Sequence, residues 1–187
     1  LDCTFRDGGY YNNWDFDKKN VENYINSIIS SKVDIVEIGF RNFPQNKFLG
    51  PFAYSTDSFI QNLPKADKIN LGVMSDASIF LDGNKISKNV KKLYAPKSES
   101  LVSLVRIASH FKDIENSRET IETLKELGYV VGFNLMQTGG KSKKEIENAV
   151  KILADWNNID VLYFADSLGN MNEIEVIETI KIIKTFW

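Results

Sequence analysis

Short apolar runs rich in β-branched residues, each followed by an amphipathic stretch, alternate from one end of this 187-residue chain to the other. Runs of strand length cover 1–6, 33–40, 69–74, 101–108, 129–136 and 159–165. Between them, Val21, Tyr24, Ile25, Ile28 and Ile29 mark a helical stripe, as do Ile146, Ala149, Val150, Leu153 and Ala154. Equally clear stripes span 114–127 and 174–183, and weaker ones lie around 59–63 and 86–94. Gly128 is placed to close the helix before the fifth run, where positive φ is tolerated. Repeated strand-helix units predict a parallel sheet covered by helices, because parallel neighbours need crossover connections.

Two α/β architectures meet that description, an open doubly wound sheet and a closed barrel. Alternate residues of a strand face opposite sides. One parity is apolar: Val36, Ile38 and Phe40, then Ile69, Leu71 and Val73, then Val131, Phe133 and Leu135. The other holds Asp2, Thr4 and Arg6, then Ile35, Glu37 and Gly39, then Asn70, Gly72 and Met74. It continues through Arg106, Ala108 and His110 to Gly132, Asn134 and Met136. A sheet buried under helices on both sides should be apolar on both parities. A face that turns polar toward the C-terminal strand ends is what a TIM (β/α)8 barrel opening into a site would show. The first unit also lacks the glycine-rich turn of a dinucleotide-binding fold. Six units in 187 residues are about 31 residues each, so eight would need about 248, near the size usual for such barrels. The expectation is therefore one catalytic barrel domain over 1–187, holding about six of eight units with the C-terminal ones missing.

Composition narrows the function. The formal charge is -2 and the basic residues are scattered, which gives no support to a nucleic-acid or polybasic membrane surface. Apolar runs reach only about seven residues, too short to span a bilayer, and the N-terminus has no basic region followed by an apolar run. The single cysteine, Cys3, cannot form an internal disulfide and fits a reducing cytoplasm. A small-molecule site is the expectation.

The chemistry-bearing residues gather at the ends of the predicted strands. Arg6 and Asp7 close the first run ahead of Gly8 and Gly9. A guanidinium there can stabilise an oxyanion, and a carboxylate can hold a hard cation; a simple ion pair closing a strand end is the plainer alternative. Glu37 faces inward, where an unpaired carboxylate would be costly, so it should meet Arg6, Arg106 or a metal-bound water. His110, the only histidine, and Asn134 face the same side near the mouth as candidate substrate contacts. Arg41 either reads a substrate carboxylate or phosphate or is a solvated loop cation.

The run Asp2-Cys3-Thr4-Phe5-Arg6-Asp7-Gly8 resembles the opening signature of the DRE-TIM metallolyases, the family of 3-hydroxy-3-methylglutaryl-CoA lyase and of the isopropylmalate and homocitrate synthases. Segments 104–110, 131–136 and 163–171 are most similar to its 4-hydroxy-2-oxovalerate aldolase branch. The resemblance implies a lyase that cleaves or forms a carbon-carbon bond beside a 2-oxo acid through a pyruvate enolate. Arg6 then matches the enolate-stabilising arginine, and Asp7 the aspartate that ligates a divalent cation, manganese or magnesium. The remaining ligands, a His-x-His pair, would lie beyond residue 187. Ser167 matches a hydroxyl near the substrate carboxylate, with Asp166 supporting it. The position of the family's histidine base, three residues past the metal aspartate, is held here by Tyr10. A tyrosine is a poor base at neutral pH unless a cation assists it. The loop 10–16, with Tyr10, Tyr11, Asn12, Asn13, Trp14 and Phe16, would shape the pocket.

Two alternatives stay open at this stage: an acyl-CoA condensing synthase on the same scaffold, and a non-catalytic small-molecule-binding relative. The expected partners are a 2-oxo acid substrate, and either a further copy of the chain or an aldehyde dehydrogenase.

Overall fold

The structure is a computed structural model that describes residues 1–81 and 85–187. Five strands, β1 (Val36–Phe40), β2 (Leu71–Asp76), β3 (Val102–Ser109), β4 (Val130–Leu135) and β5 (Val161–Phe164), form one parallel sheet in chain order. Among the described residues seven α-helices accompany them: α1 (Thr4–Asn12), α2 (Lys18–Ser31), α3 (Asp57–Gln61), α4 (Ile86–Leu93), α5 (Arg118–Glu126), α6 (Lys143–Trp156) and α7 (Glu173–Phe186). The expected α/β alternation is present as a five-stranded parallel sheet. No helix among the described residues is long and apolar enough to cross a membrane.

Capping explains where the stronger helices begin. Asp17 accepts from the Asn20 amide to start α2, whose Val21, Ile25 and Ile28 are buried. Ser142 with Glu145, and Asn172 with Glu175, close reciprocal capping boxes on α6 and α7. The stripe predicted over 114–127 becomes helical only from Arg118, after single 3-10 turns, and ends as expected at Gly128 with φ of 91°. The core lies between the sheet and these helices, with Val36, Ile38, Leu71, Val73, Val105, Ile107, Val131, Phe133 and Leu135 buried.

Two expectations fail, each for a local reason. The segment 1–6 is not a strand: only Asp2 pairs, in an isolated parallel bridge to Val36. Its carboxylate accepts from the Thr4 amide at 3.0 Å, a local bond that turns the backbone out of the sheet and into α1. Phe5 and Gly9 are then the buried residues, at helical rather than strand spacing.

The second correction concerns β1. Glu37 pairs with Gly72, but Gly39 pairs with Val73 and Phe40 with Met74, so the register shifts between Glu37 and Gly39. One extra residue reverses the parity beyond it. Phe40, expected under the helices, turns to the polar side beside Arg6, Tyr10 and Trp14. Arg41 is carried the other way, into the packed layer.

Candidate active site

The polar side of the sheet converges on Glu37. This carboxylate has no exposed surface. Arg106, two strands away on β3, donates from Nε to Oε2 at 2.7 Å and from Nη2 to Oε1 at 2.6 Å. Arg6, on α1, brings its Nε against the same Oε1 as an ion pair, but without the alignment of a hydrogen bond. Burial disfavours the Arg6 cation, yet Glu37 and Asp7 outweigh that penalty and hold its pKa above the usual value. One carboxylate thus fixes two guanidinium groups on one face.

The surroundings of Arg106 depend on Gly132. The guanidinium lies 5.1 Å from the centre of the Tyr163 ring on β5. A Cβ at Gly132 would stand 3.0 Å from that ring and 3.5 Å from the Arg106 side chain. Burial raises the Tyr163 phenol pKa, against the opposing pull of Arg106. Asn134 is buried on the same face, in register with Ala108 and Tyr163.

Around Arg6, Asp7 forms an ion pair with Arg6 Nη2 at 2.7 Å and accepts from the Cys3 thiol at 3.2 Å, and its side chain is about half exposed. It borders an open cleft of about 790 Å³ with Asp2, Cys3, Thr4, Tyr10 and Tyr11. Tyr10, one helical turn past Arg6, is 64% exposed and sets its ring edgewise against Trp14 at 4.8 Å. Tyr10, Trp14 and Phe40 wall a second cavity of about 240 Å³ that also takes in Asn42, Lys47 and Asp76. Tyr10 borders both cavities, and the Arg6 guanidinium lies 5.5 Å from the centre of the Phe40 ring.

Other predicted residues lie apart from this cluster. His110 lines a separate cavity of about 330 Å³ with Phe111, Met136, Gln137 and Lys141, past the ends of β3 and β4. Ser167 accepts from the Gln137 amide at 3.1 Å. Asp166 accepts from the Met171 and Asn170 amides at 2.9 and 3.0 Å, which hold its pKa below the usual carboxylate value. Arg41 reads neither a ligand nor solvent. It is 1% exposed, donates to the Ser55 carbonyl and Asp57, and lies over the Tyr94 ring. Sequence reasoning missed Phe40, Tyr163 and Gly132. The aromatic Tyr163 in an inward register position was the available signal.

The divalent cation implied by the resemblance can be tested against these donors. Asp7 offers one accessible carboxylate, and Cys3 beside it is a soft thiol whose pKa burial raises. No three of His, Cys, Asp and Glu come together among the described residues to hold an ion. Magnesium or manganese requires several oxygen or imidazole donors. The described residues therefore fit one ligand and not a complete metal site.

No protein-family model matches the chain. It is 27% identical over 188 residues to the 4-hydroxy-2-oxovalerate aldolase of Pelotomaculum thermopropionicum, covering 98% of this chain and 52% of that protein. This chain is similar in sequence to proteins named 4-hydroxy-2-oxovalerate aldolase. The enzyme of that name from Geobacillus thermodenitrificans is 37% identical over 84 residues, 44% of this chain and 24% of its own length. Among solved structures, the N-terminal domain of a candidate aldolase from Bacteroides vulgatus superposes with a TM-score of 0.76 at 27% identity, over 100% of this chain and 60% of that one. The chain thus spans about half the length of the curated relative that it matches throughout.

Proposed function

We propose that this chain carries the enolate-stabilising half of an aldolase-type lyase, which cleaves or forms a carbon-carbon bond next to a 2-oxo acid on a (β/α)8 scaffold. The observation that carries the reading is Arg6, paired with buried Glu37 and carried on the helix whose Asp7 and Tyr10 line an open cleft. The aldolase-named relatives support the same reaction class.

For a 4-hydroxy-2-oxo acid, the bond between C3 and C4 breaks and its electron pair becomes the pyruvate enolate. The C4 hydroxyl loses its proton and becomes the aldehyde carbonyl, and a proton returned to C3 gives pyruvate. Arg6 opposes the negative charge as it develops on the 2-oxo oxygen. Its guanidinium is held before substrate arrives, so little reorganisation is needed during the reaction. Tyr10 shares a helix face with Arg6 and is the group assigned to the hydroxyl proton. Asp7 is the one cation ligand this chain would supply, and no step is drawn through the cation. Asn134 lines the floor, while Ser167 and His110 would meet the substrate from the strand ends, with Asp166 holding the loop that carries Ser167.

The experiment is deuterium exchange into the methyl group of pyruvate, followed by proton NMR on the full chain with manganese and after chelation. Exchange that requires manganese and falls on the order of a hundredfold in Arg6→Lys is expected, because lysine cannot present a planar fork. Full exchange in that variant would remove Arg6 from its role, and absence of exchange with any 2-oxo acid would overturn the reading.

A further inference from the structure

Trp14 is held against the Arg6 helix by its backbone and its ring alike. Asn13 and Trp14 both take left-handed backbone, with φ of 57° and 59°. That conformation is costly for a bulky aromatic side chain and persists only where the surroundings enforce it. The enforcement is visible on each side. The Trp14 amide donates to the Gly9 carbonyl at 3.0 Å and to Asn12 Oδ1 at 3.1 Å, and the Gly50 amide donates to the Asn13 carbonyl at 2.7 Å.

The product of this strained turn is the position of one indole. Its Nε1 donates to the Arg6 carbonyl at 2.9 Å. Its ring lies flush on Gly9, where a Cβ would stand only 1.9 Å from Trp14 Cδ1. The ring is 9% exposed and meets Phe40 at 5.5 Å and Tyr10 at 4.8 Å, edge to face. Trp14 therefore touches the backbone of Arg6, the Phe40 ring beside that guanidinium, and the Tyr10 ring.

We propose that Trp14 is a positioning residue for Arg6: it fixes the rotation of α1 so that the guanidinium meets Glu37 while Tyr10 faces the cleft. The inference rests on the assignment of Arg6 as the enolate-stabilising group. Gly9 is required because only a residue without Cβ lets the indole reach over the helix to the Arg6 carbonyl.

The test replaces Trp14 in the full chain with 3-benzothienylalanine, which puts sulfur in place of the indole N–H at nearly constant size. Trp14→Phe is the second variant. In ligand-free protein, the Arg6 Nε–H should exchange with solvent about tenfold faster in NMR, while the Arg106 Nε–H is unchanged. In the pyruvate exchange assay, kcat should fall about tenfold at unchanged KM, since misplacement of a catalytic group acts on the rate. Unaltered Arg6 protection in both variants would overturn the proposal. Equal loss of protection at Arg6 and Arg106 would also overturn it, because Trp14 would then be a packing residue only. A wild-type protein without pyruvate exchange, but with the expected arginine response, would count against the function of Arg6 and not against its positioning by Trp14.

Discussion

Arg106 reaches across β2 to grip both oxygens of Glu37, at 2.7 and 2.6 Å, and the same carboxylate also faces Arg6. Removing it leaves buried Arg106 without a carboxylate and Arg6 with Asp7 alone. Breaking such a buried pair costs about 3 to 5 kcal/mol. Glu37→Ala should lose stability of that order in urea denaturation; a loss below about 1 kcal/mol would show that water compensates both cations.

Tyr10 and Arg6 lie one turn apart on α1 but are assigned to different steps. Pyruvate exchange needs the enolate and not a proton from a C4 hydroxyl, so Tyr10→Phe should leave exchange within about twofold of wild type. Aldol cleavage of a 4-hydroxy-2-oxo acid should fall about a hundredfold, within the usual range for a general base. Equal losses in both assays, or none in either, would free Tyr10 from that role.

Gly39 sits where the register of β1 shifts, and a Cβ there would stand 2.1 Å from the Phe52 carbonyl oxygen. A clash with backbone cannot be relieved by a rotamer change. Gly39→Ala should cost about 1 to 3 kcal/mol in chemical denaturation, as overpacking does. Gly72→Ala is the control, because its nearest contact would be an ordinary 3.4 Å. Similar stability for the two variants would mean that the β1 irregularity is soft.

The loop after β5 is tied by Asp166 to the amides of Asn170 and Met171. Those bonds lower its pKa from 3.8. A depressed carboxylate contributes fully above its unfolded pKa, and the contribution is lost as pH falls through the folded one. Amide exchange at 168–171 should therefore be unchanged from pH 7 to about pH 5 after correction for the intrinsic rate, and rise below about pH 4. Asp166→Ala should show the faster exchange already at pH 7. Protection that is equal in that variant would leave the loop without need of the carboxylate.

Much of this arrangement is legible in the alternation of residues along the strands. Glu37, Arg106 and Asn134 share a polar parity, and burial of an inward carboxylate requires a cationic partner, so the Glu37 ion pairs follow from the pattern. Beyond Glu37 the pattern misleads, since a single extra residue in β1 carries no sequence mark except a glycine. Phe40 and Arg41 consequently exchange sides. Asp2 defeats the first predicted strand in a similar way, because a local bond from its side chain outweighs a short β-like alternation. The role of Trp14 was legible only as an aromatic residue in a loop; its seat on Gly9 depends on how the chain returns over its own helix.

The cluster around Glu37 is electrically balanced. Arg6 and Arg106 contribute two positive charges, and Glu37 and Asp7 two negative ones, all joined by direct ion pairs. At distances beyond the screening length of about 8 Å in physiological salt, their fields largely cancel. A carboxylate substrate would feel little pull on approach and strong directional pull only on contact. Its association rate should therefore change little with ionic strength, and discrimination among anions would come from docking shape instead of from long-range attraction.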